Sequence, residues 1–369
     1  MARLKKVVIH STDWRIVVLS SGKVRRIDLT SPESEPEPEP ERMLLGQNAP
    51  MWFGWSTERA KIRGDGTLDP LYVADMAPFR VVRYMECARI NGSKIVTVAD
   101  MEQDGWDVWP SGNGAPISYL ARHARLLGKR PWVCVPHLAD DALVVHMAEQ
   151  MAGLSPIVEY SNELGNTAMD QSKWAATQAG WTGSGDQRTY AYRWAAQRTD
   201  QIAKLWETID EDAEFVLSMA PGTPYTETAP DTVDAFATNS YFGVEITWGG
   251  DWAWVQNTDL DGLLDWLEGE ALDRCLMRIG KIDLQGRPLY CYEGGLHIWE
   301  YNHPHAEEAH THPRMETIYT DWLNRLVAAG VEVNCHYFGA DPSIFGIKSY
   351  AGQAAAECPK WGAHAAWGD

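Results

Sequence analysis

The chain is poor in positive charge. Lys and Arg number 32 against 51 Asp and Glu, for a formal charge of −19, and such a surface repels phosphate backbones and anionic lipid headgroups. Nucleic acid is therefore excluded as the expected partner. Long apolar runs are also missing. No stretch approaches the roughly 18 residues of a helical membrane span, and the opening Met-Ala-Arg-Leu-Lys-Lys-Val-Val-Ile-His turns polar before the apolar core of an export signal could form. These absences predict a soluble chain without an ordinary secretion signal. The six cysteines, Cys87, Cys134, Cys275, Cys291, Cys335 and Cys358, lack Cys-x-x-Cys spacing, and three lie in apolar strand-like runs. Buried, reduced thiols are expected. Phe is scarce at 7 residues, whereas Trp reaches 18. Indole faces stack on the apolar faces of sugar rings while the N–H bonds hydroxyls, so this aromatic balance suits either a Trp-rich core or a carbohydrate cleft.

At 369 residues the chain has room for one large domain and an appendage, or for two medium domains. Residues 1–30 hold two alternating apolar segments, Lys6–His10 and Trp14–Ser20, then Gly22 and Val24–Leu29. They predict a small β hairpin or meander, too small to be stable alone and suited to attachment. The acidic Pro/Glu run over residues 31–41 predicts an extended spacer, because proline forbids helix and the carboxylates repel. From residue 42 to 369, strand-like runs alternate with helical patterns, the signature of repeated βα units. The expected strands are Pro50–Gly54, Arg80–Met85, Trp132–Pro136, Ile157–Tyr160, Glu214–Met219, Ala235–Tyr241, Pro288–Tyr292 and Val331–Tyr337. Helical spacing links Ile117, Leu120, Ala121, Ala124 and Leu127; Tyr192, Ala195, Thr199, Ile202 and Trp206; and Ile318, Trp322, Leu323 and Leu326. No Gly-x-Gly-x-x-Gly turn follows the first strand, which argues against a dinucleotide-binding sheet. The expected fold class is α/β, a (β/α)8 TIM barrel preceded by the small β element and its spacer.

Two stretches carry the chemistry. Ile157-Val-Glu-Tyr-Ser-Asn-Glu163-Leu and Pro288-Leu-Tyr-Cys-Tyr-Glu293-Gly-Gly each read as a short buried strand ending in a carboxylate, and two carboxylates on rigid strand ends are what glycosidic hydrolysis requires. In a parallel barrel all strand exits open on one face. Arg83 and Glu86, His137, Asn162 and Glu163, Tyr241, Glu293, and His336 with Tyr337 are therefore expected to converge. Glu159 is turned away from the exit by strand alternation, and Glu300, beyond Trp299, is expected to face solvent. Arg83 could also serve as a buried ion pair, and Tyr241 as a core aromatic.

Over about residues 45–350 this pattern resembles the clan A glycoside hydrolases, and the Tyr-Ser-Asn-Glu element resembles glycosidase-like proteins of bacteria and their phages. The resemblance implies Glu163 as acid/base, Glu293 as nucleophile and Asn162 as donor to a substrate 2-hydroxyl, with Arg83 and Tyr241 holding and ionising Glu293 and no metal or organic cofactor. Retention follows in that family from two carboxyls roughly 5 Å apart. A guanidinium and a phenol near Glu293 are expected to lower its pKa, while Glu163 stays protonated near neutrality. Two departures from the resemblance, Asn239-Ser240-Tyr241 in place of a His two residues before the Tyr, and Leu164 in place of an aromatic, imply different substrate contacts.

His137 and His336 are candidate substrate contacts or hydrogen-bonded structural histidines. Trp299 is placed to floor a sugar subsite. Trp52, Trp55, Trp106, Trp109, Trp248, Trp252 and Trp254 fall in or near strand exits, whereas Trp174, Trp194, Trp206 and Trp322 fall in helical patterns and are expected in the core. The segment His303–His312 has four histidines and two carboxylates, but its spacing fits no metal template and a solvated loop is expected. These features lead to a retaining β-glycosidase acting on a bacterial surface or cell-wall polysaccharide. Residues 1–41 would join it to a virion or other assembly partner, making it virion-associated or otherwise cytoplasmic. The competing expectation is a non-catalytic carbohydrate-binding or structural virion or surface protein on the same barrel.

Overall fold

A computed structural model describes residues 43–48, 59–103, 114–223, 225–247, 253–340 and 345–368, together with three N-terminal strands. The chain divides into two compact units, Met1–Arg42 and Met43–Asp369. In the first, Leu4–Ile9, Trp14–Leu19 and Val24–Asp28 pair antiparallel in sequence order. The Pro/Glu spacer and Trp52, Trp55, Trp106, Trp109, Trp248 and Trp252 lie outside the described residues.

The second unit is a closed parallel barrel of eight strands. They are β1 (Leu44–Asn48), β2 (Val81–Tyr84), β3 (Arg130–Val135), β4 (Ile157–Tyr160), β5 (Glu214–Ser218), β6 (Ala235–Phe242), β7 (Leu289–Leu296) and β8 (Val331–His336). Neighbours in sequence are neighbours in the barrel, and β8 pairs with β1 to close it. With helices between the strands, this is the (β/α)8 fold. Alternation sorts the side chains. Val81, Trp132, Ile157, Val216, Tyr290 and Val333 fill the interior, while Val82, Val133, Val158, Phe215, Phe236 and Leu289 join the larger core under the helices.

The helices follow the apolar spacing. Ile117–Leu127 buries Ile117, Leu120, Ala121, Ala124 and Leu127 and stops at Gly128, whose φ of 63° suits a left-handed cap. Gln187–Trp206 starts on an Asp186 cap and buries Tyr192, Ala195, Thr199, Ile202 and Trp206. Arg314–Ala328 buries Ile318, Trp322, Leu323 and Leu326. All six cysteines are buried and free.

Two expectations need correction. The first barrel position belongs to Leu44–Asn48, not to Pro50–Gly54, which lies outside the described residues. Gly46 permits this seating, because a Cβ there would run into Cys335 Sγ and crowd Val81. The His303–His312 segment is also no solvated loop: Ala306–Thr311 is helical, and His303 and His310 are buried. His310 is held by the Ile298 carbonyl at 3.2 Å and by Lys360 Nζ at 2.7 Å. Among the described residues no group of three His, Cys, Asp or Glu side chains could hold a metal, and no helix is long and apolar enough to cross a membrane.

Candidate active site

The barrel's strand exits bring Asn48, Arg83, Asn162, Tyr241 and Glu293 to one face, as parallel strands must. Glu293 needs a further device. Between Cys291 and Glu293 the pairing of β7 with β6 slips by one residue, a bulge that re-aims a side chain that alternation would turn away from the interior after Tyr292. At the exit of β4 the backbone is also unusual. Ser161 and Glu163 both adopt left-handed conformations, with φ of 61° and 47°, on either side of Asn162.

Arg83 organises the floor. Fully buried, it donates to Glu159 Oε2 through Nη2 at 2.8 Å and Nε at 3.1 Å, to Asn162 Oδ1 at 2.8 Å and to Asn48 Oδ1 at 3.1 Å. Its guanidinium also lies over the Tyr292 ring, 4.9 Å from the centroid. Glu159 is itself fully engaged, accepting from Trp132 Nε1 at 2.9 Å and Ser218 Oγ at 2.6 Å as well. The buried ion pair and the site-holding role considered for Arg83 therefore coexist: its nearer carboxylate is Glu159, and Glu293 Oε2 lies 3.6 Å away. Asn162 has its amide nitrogen on Asn91 Oδ1 at 3.0 Å.

Glu293 receives Asn48 Nδ2 at 3.2 Å and a hydrogen bond from the Tyr241 hydroxyl. Contrary to expectation its pKa is not lowered. Burial and the like charge of Glu163 push it up to about 8, against the pull of Arg83 and Tyr241. Burial also raises the half-buried Glu163, whose carboxyl accepts from Asn166 Nδ2 at 3.3 Å. The two carboxyls thus titrate as a pair that retains a proton near neutrality. Asn48, Tyr241 and Arg83 face Glu293 and work against the burial that raises it, whereas among the described residues Glu163 is met by Asn166 alone. Beside Glu163 opens a cleft of about 220 Å³ lined by Asn166, Thr167, Arg188, Asn239 and Tyr292, with Gly165 and Ala220.

No protein-family model and no curated protein matches the sequence. In fold the chain is similar to solved (β/α)8 glycoside hydrolases. A GH5-4 broad-specificity endoglucanase from an uncultured bacterium is 12% identical with a TM-score of 0.49, covering 88% of this chain and 94% of that one. A polyextremophilic β-galactosidase from the haloarchaeon Halorubrum lacusprofundi is 16% identical with a TM-score of 0.47, covering 89% of this chain. A β-galactosidase from the psychrophilic Marinomonas ef1 is 12% identical with a TM-score of 0.49, covering 88% of this chain. The chain spans only 57% and 59% of those two galactosidases.

The remaining candidates divide. Trp299 belongs to the strand-exit face, stacked on the exposed Tyr301 and edge-on to His297, which in turn packs on Tyr241. Tyr337 joins them through Tyr241, at 5.8 Å between ring centroids. His336 does not: it points outward into the helix layer, donating through Nδ1 to the Phe338 carbonyl at 3.0 Å and accepting from the Tyr319 hydroxyl at 3.3 Å. Alternation explains this, since Val333 and Cys335 take the inward positions of β8. His137 packs edge-on against Trp174, and burial and Lys94 lower its pKa to about 4; no direct contact joins it to the carboxylate pair. Glu86 is a third acid of the site. Only 6% exposed, it has its pKa raised well above the ordinary range by burial and by the charge of Glu293.

Asn48 and Glu159 are the two residues of the site that the sequence pattern does not single out, Asn48 because the first barrel strand ends before Pro50. A polar Asn ending an apolar run was the available signal for Asn48. For Glu159 it was a carboxylate at an inward position of a buried strand, which demands a buried cation.

Proposed function

We propose that this chain hydrolyses β-linked glycosides with net retention, Glu293 acting as nucleophile and Glu163 as acid/base. The observation that carries the reading is the asymmetry of the pair: Asn48, Tyr241 and Arg83 face Glu293, whereas among the described residues the Glu163 carboxyl accepts only from Asn166. In this reading Glu293 attacks the anomeric carbon while Glu163 protonates the departing oxygen. Glu163 then takes a proton from the water that releases the sugar. Arg83 and Asn48 hold the nucleophile, Asn162 meets the substrate 2-hydroxyl, and Tyr241 follows the charge on Glu293 as it is consumed and restored. Trp299 and Tyr301 supply an aromatic wall for a neighbouring sugar.

The polymer we assign is a bacterial surface or cell-wall polysaccharide, a reading supported by the aromatic wall. Residues 1–41 serve, in the same proposal, as an attachment element to a virion or other assembly. The test is hydrolysis of aryl β-glycosides and purified bacterial polysaccharides by the intact protein, with Glu163→Gln and Glu293→Gln in parallel. Both variants are expected to lose activity by about a thousandfold or more, and the first-formed sugar anomer, followed by NMR, is expected to keep the substrate's configuration. Activity that survives both substitutions would overturn the assignment.

A further inference from the structure

We infer that the cleft beside Glu163 is a subsite for a carboxylate-bearing sugar, a hexuronic acid on the leaving-group side, with Arg188 as its anion-binding group. This rests on Glu163 protonating the departing oxygen, since the leaving group then lies on the side of Glu163 and in the cleft that Glu163 lines.

Arg188 is held but not consumed. Its Nε donates to the Gly165 carbonyl at 2.9 Å, which fixes the plane of the guanidinium at the cleft wall. Among the described residues no carboxylate pairs with it, in contrast to Arg193, Arg198, Arg314 and Arg325, each of which has an acidic partner within 2.8 Å. The nearest acid in sequence, Asp186, is occupied in capping the helix: it accepts from the backbone N–H of Arg188 and from the Thr189 hydroxyl. Nor is Arg188 engaged with Glu163, whose pKa responds to burial, Asn166, Arg83 and Glu159. A guanidinium close enough to act on that carboxyl would oppose its protonation; placed further along the cleft, it leaves the acid intact. In a chain of net charge −19, a cation fixed in a cleft without an acidic partner is available to a ligand.

The rest of the lining suits a sugar acid. Among the described residues the terminal nitrogens of Arg188 have no hydrogen-bond partner, and a planar guanidinium in that state can grip a carboxylate through two parallel hydrogen bonds. Thr167 and the amides of Asn166 and Asn239 offer donors and acceptors for ring hydroxyls.

The test is a binding measurement, so it does not depend on turnover. Titration calorimetry of the full chain would compare D-glucuronate and D-galacturonate with D-glucose and D-galactose. At least one acid is expected to bind about tenfold or more tightly than its neutral counterpart. Arg188→Gln is expected to abolish that difference, and Arg188→Lys, which keeps the charge without the fork, to retain part of it; unchanged melting of both variants would show that the Gly165 loop is intact. Equal affinity for acid and neutral sugars, no measurable binding of either acid, or a preference that survives Arg188→Gln would each overturn the inference. Arg188-dependent binding together with hydrolysis indifferent to Glu163→Gln would instead count against the hydrolase reading and leave the anion site standing.

Discussion

Arg83 is one guanidinium shared between two tasks, and its substitution separates them. Removing it strands Glu159, a fully buried carboxylate, so Arg83→Met is expected to cost about 3–5 kcal/mol of stability in urea unfolding. Adding Glu159→Gln to the same chain should restore most of the loss, because the orphaned charge is gone. Glu293 makes a second prediction through its titration. Its folded pKa of about 8 stands above the ordinary 4.5, so the folded state disfavours its ionised form, and its contribution to stability declines as pH rises from about 4.5 through 8. Glu293→Gln removes that decline. The melting temperature of the variant relative to the native chain is expected to be higher at pH 8 than at pH 5. The residues that bear these properties were unequally legible: Glu163, Glu293, Arg83 and Tyr241 stood out as polar residues leaving apolar strands, whereas the charge state of Glu293 depends on burial and on a neighbour distant in sequence, neither of which a single chain displays.

Among the elements, β1 and β7 show what spacing conceals. Leu44-Leu-Gly-Gln-Asn is short and interrupted by Gly, so it reads weakly as a strand, yet Gly46 is what lets it lie against β8 and β2. Gly46→Ala is expected to destabilise by about 1–3 kcal/mol through overpacking, and Cys335→Ala in the same chain to relieve part of it, as urea denaturation would register. At the end of β1, Asn48→Ala takes a donor from Glu293 and an acceptor from Arg83, and kcat is expected to fall about ten- to a hundredfold with folding preserved. The other seven strands were readable as short apolar runs, and the three long amphipathic helices by the spacing of their apolar residues. The slip at Cys291 was not, since a bulge is a relation between two strands and leaves no mark on either one alone.

For the whole molecule, the parallel barrel followed from counting βα alternations, and the division at Arg42 falls next to the proline-rich stretch. A chain beginning at Met43 is expected to fold and, under the proposed function, to match the full chain on small β-glycosides, which calorimetry and steady-state assays would check; the Trp367 indole, donating to the Met43 carbonyl at 3.3 Å, closes the second unit on itself. The two left-handed residues around Asn162 bear on how far this barrel could be hardened. Backbone held in that region by residues other than glycine costs on the order of 1–3 kcal/mol each, so the turn presenting Glu163 is a standing charge against heat resistance. Ser161→Gly would relax one residue without touching a carboxylate, but position 163 offers no such freedom while its side chain is required. An engineer raising the thermal limit of this protein would find ample room in the outer helices and least at the mouth of the fourth strand.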